Sequence, residues 1–219
     1  MSTEPTLYHY VHCPYCVRVR LALGFLSIKF NSVVLPYDDE KTPISLADAK
    51  MLPIFKFDES HVSNESLDII AILDTENRLG TRSLLDNSEK LGEINTLLSE
   101  ISKPVHNMAM PYWIYTPEFD DNSRKYFKDK KEVKRGPLKR LIPRRPEFEQ
   151  QLSKVLDGLE LQIDKFFQSE AFTIADIMIA SHLWGMYVVP EYQFPAKIHE
   201  YLQNIKRICE FDYHKDFWS

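Results

Sequence analysis

Two of the chain's three cysteines stand two residues apart in HCPYC, residues 12–16. A Cys-x-x-Cys pair can supply half of a zinc site, close a structural bridge, or act as two reacting thiols. Zinc needs four ligands. The third cysteine, Cys209, stands alone, and His9 and His12, read as members of one strand, point to opposite faces. A structural bridge over a two-residue loop would constrain the unfolded chain very little. Reacting thiols are the favoured reading.

The residues around the pair suit that chemistry. Pro14 fits the first position of a helix, where its missing N–H costs nothing, so Cys13 falls at the N-cap. There the free N–H groups of Tyr15 and Cys16 and the positive end of the helix dipole favour a thiolate. Cysteines so placed have pKa values of about 3.5 to 7.5. Cys13 is the expected nucleophile. Cys16, one turn inward, is expected to be less exposed and to resolve a mixed disulfide formed on Cys13. Arg18 and Arg20 lie further along and are expected on a solvated polar face. In MLPIF a strand opens at Pro53; from the sequence alone the Leu52–Pro53 bond is expected to be trans.

The elements that must carry these residues read as strands and helices in alternation. TLYHYV is a strand, YCVRVRLALGFLSI a helix and KFNSVVL a second strand, a βαβ unit. After a polar loop and a short helix near Ser45–Ala49 come PIFKF, HVSN and ESLDIIAILDTEN, read as two strands and a helix. From residue 88 onward the periodicity is helical. Helices are expected over Ser88–Met110, Arg124–Lys134, Glu147–Phe167, Ile174–Val189 and Pro195–Ile208, with Pro104 kinking or ending the first. The shift in pattern divides the chain into an α/β domain over 1–80, a linker over 81–87 and an all-α domain over 88–219.

At 219 residues, 44% hydrophobic and 27% charged, the chain can fold without disulfide staples and is not disordered. A net charge of −5 gives no general attraction to nucleic acid or anionic lipid. No apolar run is long enough for a membrane span, and the first residues have no basic-then-apolar leader. A cytoplasmic protein is expected, with no partner among nucleic acids or membranes. One run, Arg124 to Arg145, is basic; it reads first as a solvated surface and second as a docking patch for an acidic partner.

HCPYC, LPI and ESLDII, in that order, resemble the glutaredoxin branch of the thioredoxin superfamily; Pro-Tyr between the cysteines is the usual glutaredoxin choice. FTIADIMIASHLW resembles the core helix of glutathione-transferase C-terminal domains, with Thr173 as cap and Asp176 completing a capping box. RKYFKDKKE resembles a segment of the large two-domain bacterial glutaredoxins of the glutaredoxin 2 family. The resemblance implies a thioredoxin-like α/β domain followed by a glutathione-transferase-like helical domain. It also implies a glutathione-dependent thiol–disulfide oxidoreductase that needs no metal.

By the same resemblance Cys13 attacks the substrate and holds glutathione as a mixed disulfide, with Pro14 and Tyr15 beside the bound sulfur. Leu52, before a cis Pro53, pairs with the glutathione backbone. Ser66 takes the γ-glutamyl carboxylate, Glu65 the ammonium, and Lys50 the glycyl carboxylate. Partners are then glutathione and disulfide-containing or glutathionylated proteins, and the chain is expected to be a monomer. Plainer readings stand beside these: Glu65 and Ser66 as helix caps, Tyr15 and Lys50 as surface residues, and Cys209, His182 and Trp184 as packing. The extra residues before the first strand and the basic, proline-rich VKRGPLKRLIPRRP depart from the family pattern. The rival functions are a glutathione transferase or dehydroascorbate reductase on the same fold, and a non-catalytic binding module. Cys16 argues against a transferase, which ordinarily activates glutathione with a Ser or Tyr hydroxyl.

Overall fold

A computed structural model describes residues 4–212; residues 1–3 and 213–219, the outer ends of the two expected domains, lie outside the described part. Strand β1 (Thr6–His9) sits inside a four-stranded sheet of order β2-β1-β3-β4, with β2 at Asn31–Val34, β3 at Ile54–Lys56 and β4 at Val62–Ser63. β1 and β2 are parallel, pairing Thr6 with Asn31 and His9 with Val34, and helix α1 (Pro14–Phe25) makes the crossover between them. β3 runs antiparallel to both β1 and β4. Helix α2 (Lys41–Ala47) precedes β3 and α3 (Ser66–Leu73) follows β4. This is the β-α-β, β-β-α order of a thioredoxin-like domain.

The helical C-terminal domain consists of α5 (Ser88–Trp113), α6 (Asp121–Arg135), α7 (Arg145–Glu160), α8 (Ile174–Leu183) and α9 (Ala196–Ile208). All ten residues of α8 are buried, as expected of a helix that is apolar all round. It packs against α1 on one side and α5 on another. One apolar core therefore runs from Leu7 and Phe55 of the sheet through Val19 and Leu23 of α1 to Ile177 and Leu183 of α8. Thr173 and Asp176 form the expected capping box, the Asp176 carboxylate accepting the Thr173 N–H at 2.8 Å.

Expectations about three of the long helices change. Pro104 does not end α5, which continues through Pro104 and Pro111 to Trp113; the buried stripe Ile94, Leu98, Ile101, Val105 and Met108 holds it where a backbone bond is lost. Helix α7 stops at Glu160, short of Phe167. Asp176 takes the Phe167 N–H at 2.8 Å, and Gln168 turns the chain with a positive φ. Helix α8 ends at Leu183 and tightens into a 3-10 turn over Trp184–Val188. There Gly185 approaches Trp113 so closely that a Cβ would lie 2.8 Å from its ring. The segment 81–87 contains a short helix, α4 (Thr81–Leu85).

The basic run is mostly a solvated surface: Arg124, Lys125, Arg144 and Arg145 pair with Asp121, Asp129, Glu147 and Glu149. Lys131 and Arg135 are half-buried instead.

Candidate active site

The cysteine pair occupies the junction of β1 and α1. Cys13 is the N-cap of α1 in an extended conformation (φ −71°, ψ 122°), with Pro14 in the first turn. Cys13 is half-buried and Cys16 fully buried; neither is disulfide-bonded. A hydrogen bond from the Cys16 thiol is the largest influence on Cys13. It outweighs burial and, with the positive charge of His12 and the N–H groups of Cys16 and Tyr15, lowers the Cys13 thiol to about 6. Burial, then the bond to Cys13 and the charge on it, push Cys16 the other way. The two thiols are thus driven in opposite directions.

This split has a direct chemical readout. The thiolate is the reacting form, so alkylation of Cys13 by iodoacetamide should rise as pH is raised through about 6 and flatten above 7. Mass spectrometry should find Cys16 and Cys209 unmodified, since both are fully buried and burial pushes Cys209 up. A single midpoint near the free-cysteine value of about 8.5 would contradict the geometry.

Beside the pair lies a groove of about 330 Å³ lined by Tyr15, Met51, Leu52, Pro53, Asn64, Glu65 and Ser66. The Leu52–Pro53 bond is cis, as the resemblance implies and against the expectation from sequence alone. The Leu52 carbonyl oxygen is 4.0 Å from the Cys13 sulfur. Glu65 is the N-cap of α3 without a side-chain capping bond, which leaves its carboxylate out of the helix end, and Ser66 is buried as the first helical residue. The ring of Tyr15 is 49% exposed and meets His182 edge-on at 5.6 Å between centroids. Tyr15, Leu52, Pro53, Glu65 and Ser66 thus share one groove next to Cys13 and Pro14.

Lys50 does not line this groove. Its ammonium donates to the Tyr37 carbonyl at 2.8 Å and sits 3.8 Å from the centre of the Tyr126 ring, with Glu40 at 3.9 Å.

Arg18 corrects the sequence reading. It is 4% exposed, not solvated, because α1 is covered by α3 and α8 together and has no polar face there. Its Nη1 donates to Ser66 Oγ at 3.1 Å and its guanidinium lies 5.0 Å from the Tyr15 ring centre. Burial lowers its pKa only to about 10, so a cation stands beneath the start of α3 at neutral pH. Arg20 is only partly buried and lies 4.9 Å from the Phe211 ring centre.

The reason for separating the two histidines also changes: β1 ends at His9, so His12 lies in the loop beyond it. His9 pairs with Ser32 at 2.8 Å. His12 pairs with Glu118, from the loop between α5 and α6, at 2.5 Å. No local pattern announces either Arg18–Ser66 or His12–Glu118; the partners are 48 and 106 residues apart.

The family described as "Glutaredoxin 2, C terminal domain" matches residues 93–213. The chain belongs to the glutaredoxin 2 family. Residues 7–79 match the family described as "Glutathione S-transferase, N-terminal domain". Glutaredoxin 2 of Escherichia coli (strain K12) is 28% identical over 206 residues, covering 92% of this chain and 94% of the relative. The crystal structure of glutaredoxin 2 from Salmonella typhimurium in complex with glutathione superposes with a TM-score of 0.82 at 25% identity and 99% coverage of both chains. Glutathione transferase GSTFuA3 from Phanerochaete chrysosporium shares the fold, with a TM-score of 0.78 at 17% identity over 97% of this chain and 99% of that one. In this glutaredoxin 2 family member the Cys-Pro-Tyr-Cys pair lies within the transferase-like match, and the helices from α6 onward and most of α5 lie within the other. No helix among the described residues is long and apolar enough to cross a membrane.

Proposed function

We propose that the protein is a glutathione-dependent thiol–disulfide oxidoreductase in which Cys13 is the nucleophile and Cys16 the resolving thiol. The observation that carries this reading is the placement of two free thiols at one helix end, Cys13 capping α1 beside the groove and Cys16 buried one turn inward, and burial and their mutual hydrogen bond drive the two in opposite directions. With a glutathionylated protein, the Cys13 thiolate attacks the glutathione sulfur, the protein thiolate leaves and takes up a proton, and Cys13 holds glutathione. A second glutathione thiolate then attacks that glutathione sulfur, giving glutathione disulfide and restoring the Cys13 thiolate.

With a protein disulfide, Cys13 first captures one protein sulfur and frees the other. That step removes the charge and the hydrogen-bond acceptor which helped hold the proton on Cys16. Cys16 then loses its proton, attacks the Cys13 sulfur and expels the second protein thiol. Two glutathiones reduce the resulting Cys13–Cys16 disulfide and leave as glutathione disulfide.

The groove beside Cys13 supports a glutathione site in which the tripeptide backbone pairs with Leu52 before Pro53 and its sulfur lies by Pro14 and Tyr15. Its γ-glutamyl end meets Ser66 and the α3 N-terminus, with Arg18 below adding positive charge and Glu65 facing the ammonium. Lys50 would take the glycyl carboxylate only by leaving Tyr126, so it belongs to the outer edge of the site. The protein substrates are disulfide-containing or glutathionylated proteins. A monomer in a reducing, cytoplasmic setting suits three free cysteines, and residues 81–87 join a thiol domain to a helical one.

The test pairs two reactions. The protein should reduce a glutathionylated peptide in a glutathione- and glutathione reductase-coupled assay, and should conjugate glutathione to a chlorinated aromatic electrophile slowly or not at all. The opposite pattern would make it a transferase. Crystals of Cys16→Ser treated with glutathione disulfide should place the tripeptide between Cys13 and Ser66.

A further inference from the structure

The loop 116–120 between α5 and α6 is inserted beneath the residue that precedes the nucleophile. Glu118 is 2% exposed and its Oε1 accepts two hydrogen bonds from His12: the backbone N–H at 3.2 Å and ring Nδ1 at 2.5 Å. The loop is itself anchored. The Glu118 carbonyl accepts the Tyr37 N–H at 2.9 Å, Thr116 Oγ1 donates to the Trp113 carbonyl at 2.7 Å, and the Phe119 ring stacks on Tyr37 and lies 5.3 Å from His12. Trp113 closes on His12 from α5 at 5.1 Å. A carboxylate is costly to bury unless paired, and this one has His12 as its side-chain partner.

We propose that Glu118, supplied by the helical domain, is a positioning residue for the nucleophile: it fixes the ring and backbone N–H of His12 so that the positive end of the pair faces Cys13. The proposal rests on Cys13 being the attacking thiol. Burial pushes the Glu118 carboxyl up, but the charge on His12 and its hydrogen bonds outweigh that and hold it below the usual carboxylate range. The charge on His12 is likewise one of the causes that lower Cys13. The other titratable or charged groups facing this pair and Cys13 include His9, Tyr10, Cys16 and Arg18, then Tyr37, His106 of α5 and Lys131 of α6. Of these and Glu118, only Glu118 accepts hydrogen bonds from both the ring and the backbone of His12 among the described residues.

The sign of one measurement separates positioning from mere packing. Removing a negative charge near Cys13 would, by Coulomb's law alone, make its thiolate easier to form. If Glu118 acts through His12, removing it does the reverse. In Glu118→Gln, which keeps the side-chain shape and an acceptor oxygen, the midpoint for alkylation of Cys13 should rise by about one pH unit, an approximately tenfold loss of rate below the midpoint. His12→Asn should raise it similarly, and the double variant no further. Glutathione affinity, set in a groove that neither His12 nor Glu118 lines, should stay within about twofold while the rate of attack falls.

An unchanged or lowered midpoint in folded Glu118→Gln overturns the proposal. Should that variant fail to fold, the test passes to the native protein, where the His12 ring proton on Nδ1 should be visible by nuclear magnetic resonance and protected from exchange with water. A freely exchanging ring proton overturns it. Failure of the underlying function looks different: the native protein itself would not reduce a mixed glutathione disulfide.

Discussion

Cys13→Ser should abolish disulfide exchange, a loss on the order of 10³-fold or more, because a hydroxyl at that position gains little from the N–H groups that hold a thiolate. Cys16→Ser should behave differently. It should keep turnover of glutathionylated peptides within roughly tenfold, since glutathione itself completes that cycle, and should lose reduction of protein disulfides that need an internal resolving thiol. A serine hydroxyl can still donate to Cys13, so its thiolate should survive, with the midpoint staying below the free-cysteine value. Measured side by side with the coupled assay, equal loss in both variants would contradict the roles assigned.

Asp176→Ala should be the most damaging substitution away from the thiols. The carboxylate is fully buried and accepts the N–H of Phe167, the N–H of Thr173 and the hydroxyl of Tyr201, each at 2.8 Å. Alanine would leave those donors unpaired in the core and open a gap, costing about 3–5 kcal/mol. For a chain of this size that corresponds to a fall in Tm of about 10 °C or more, read by the loss of helical circular dichroism. Below the transition the reduction of glutathionylated peptide should stay near the native rate, because Asp176 does not line the groove. A melting curve that overlays the native one would mean that these bonds contribute nothing net.

What could be read along the chain follows from how local each signal is. Cys13, Pro14 and Cys16 lie within four positions, and a proline at the first turn with a cysteine before it specifies a helix end without help from the rest of the fold. The Thr173–Asp176 box is equally local and was legible for the same reason. The chain order of strands and helices in the first domain follows from residue type and period, whereas the core position of α8 comes through the family resemblance and the spatial order of the strands has no signal in the sequence. An arginine in a helical stretch ordinarily faces water, and only the arrival of α3 and α8 on either side of α1 buries Arg18. Glu118 left no trace, since a lone glutamate in a loop looks the same whether solvated or threaded beneath His12. The local rule for proline allows a kink or an end at Pro104, and the packing of α5 carries the helix past it. Leu52–Pro53 was assigned cis only through family resemblance, because no neighbouring residue dictates the isomer.

The close seat of α1 has a consequence for how such a molecule can be altered. Gly24 lies so near the Cys209 carbonyl that an added methyl would fall 1.7 Å from the oxygen, while Val19 and Leu23 share the core with α8. A chimaera that grafts the thiol half onto another helical body would have to reproduce that contact atom for atom, or leave the stem beneath Cys13 loose. The redox unit is better regarded as one face of a single solid than as a cassette.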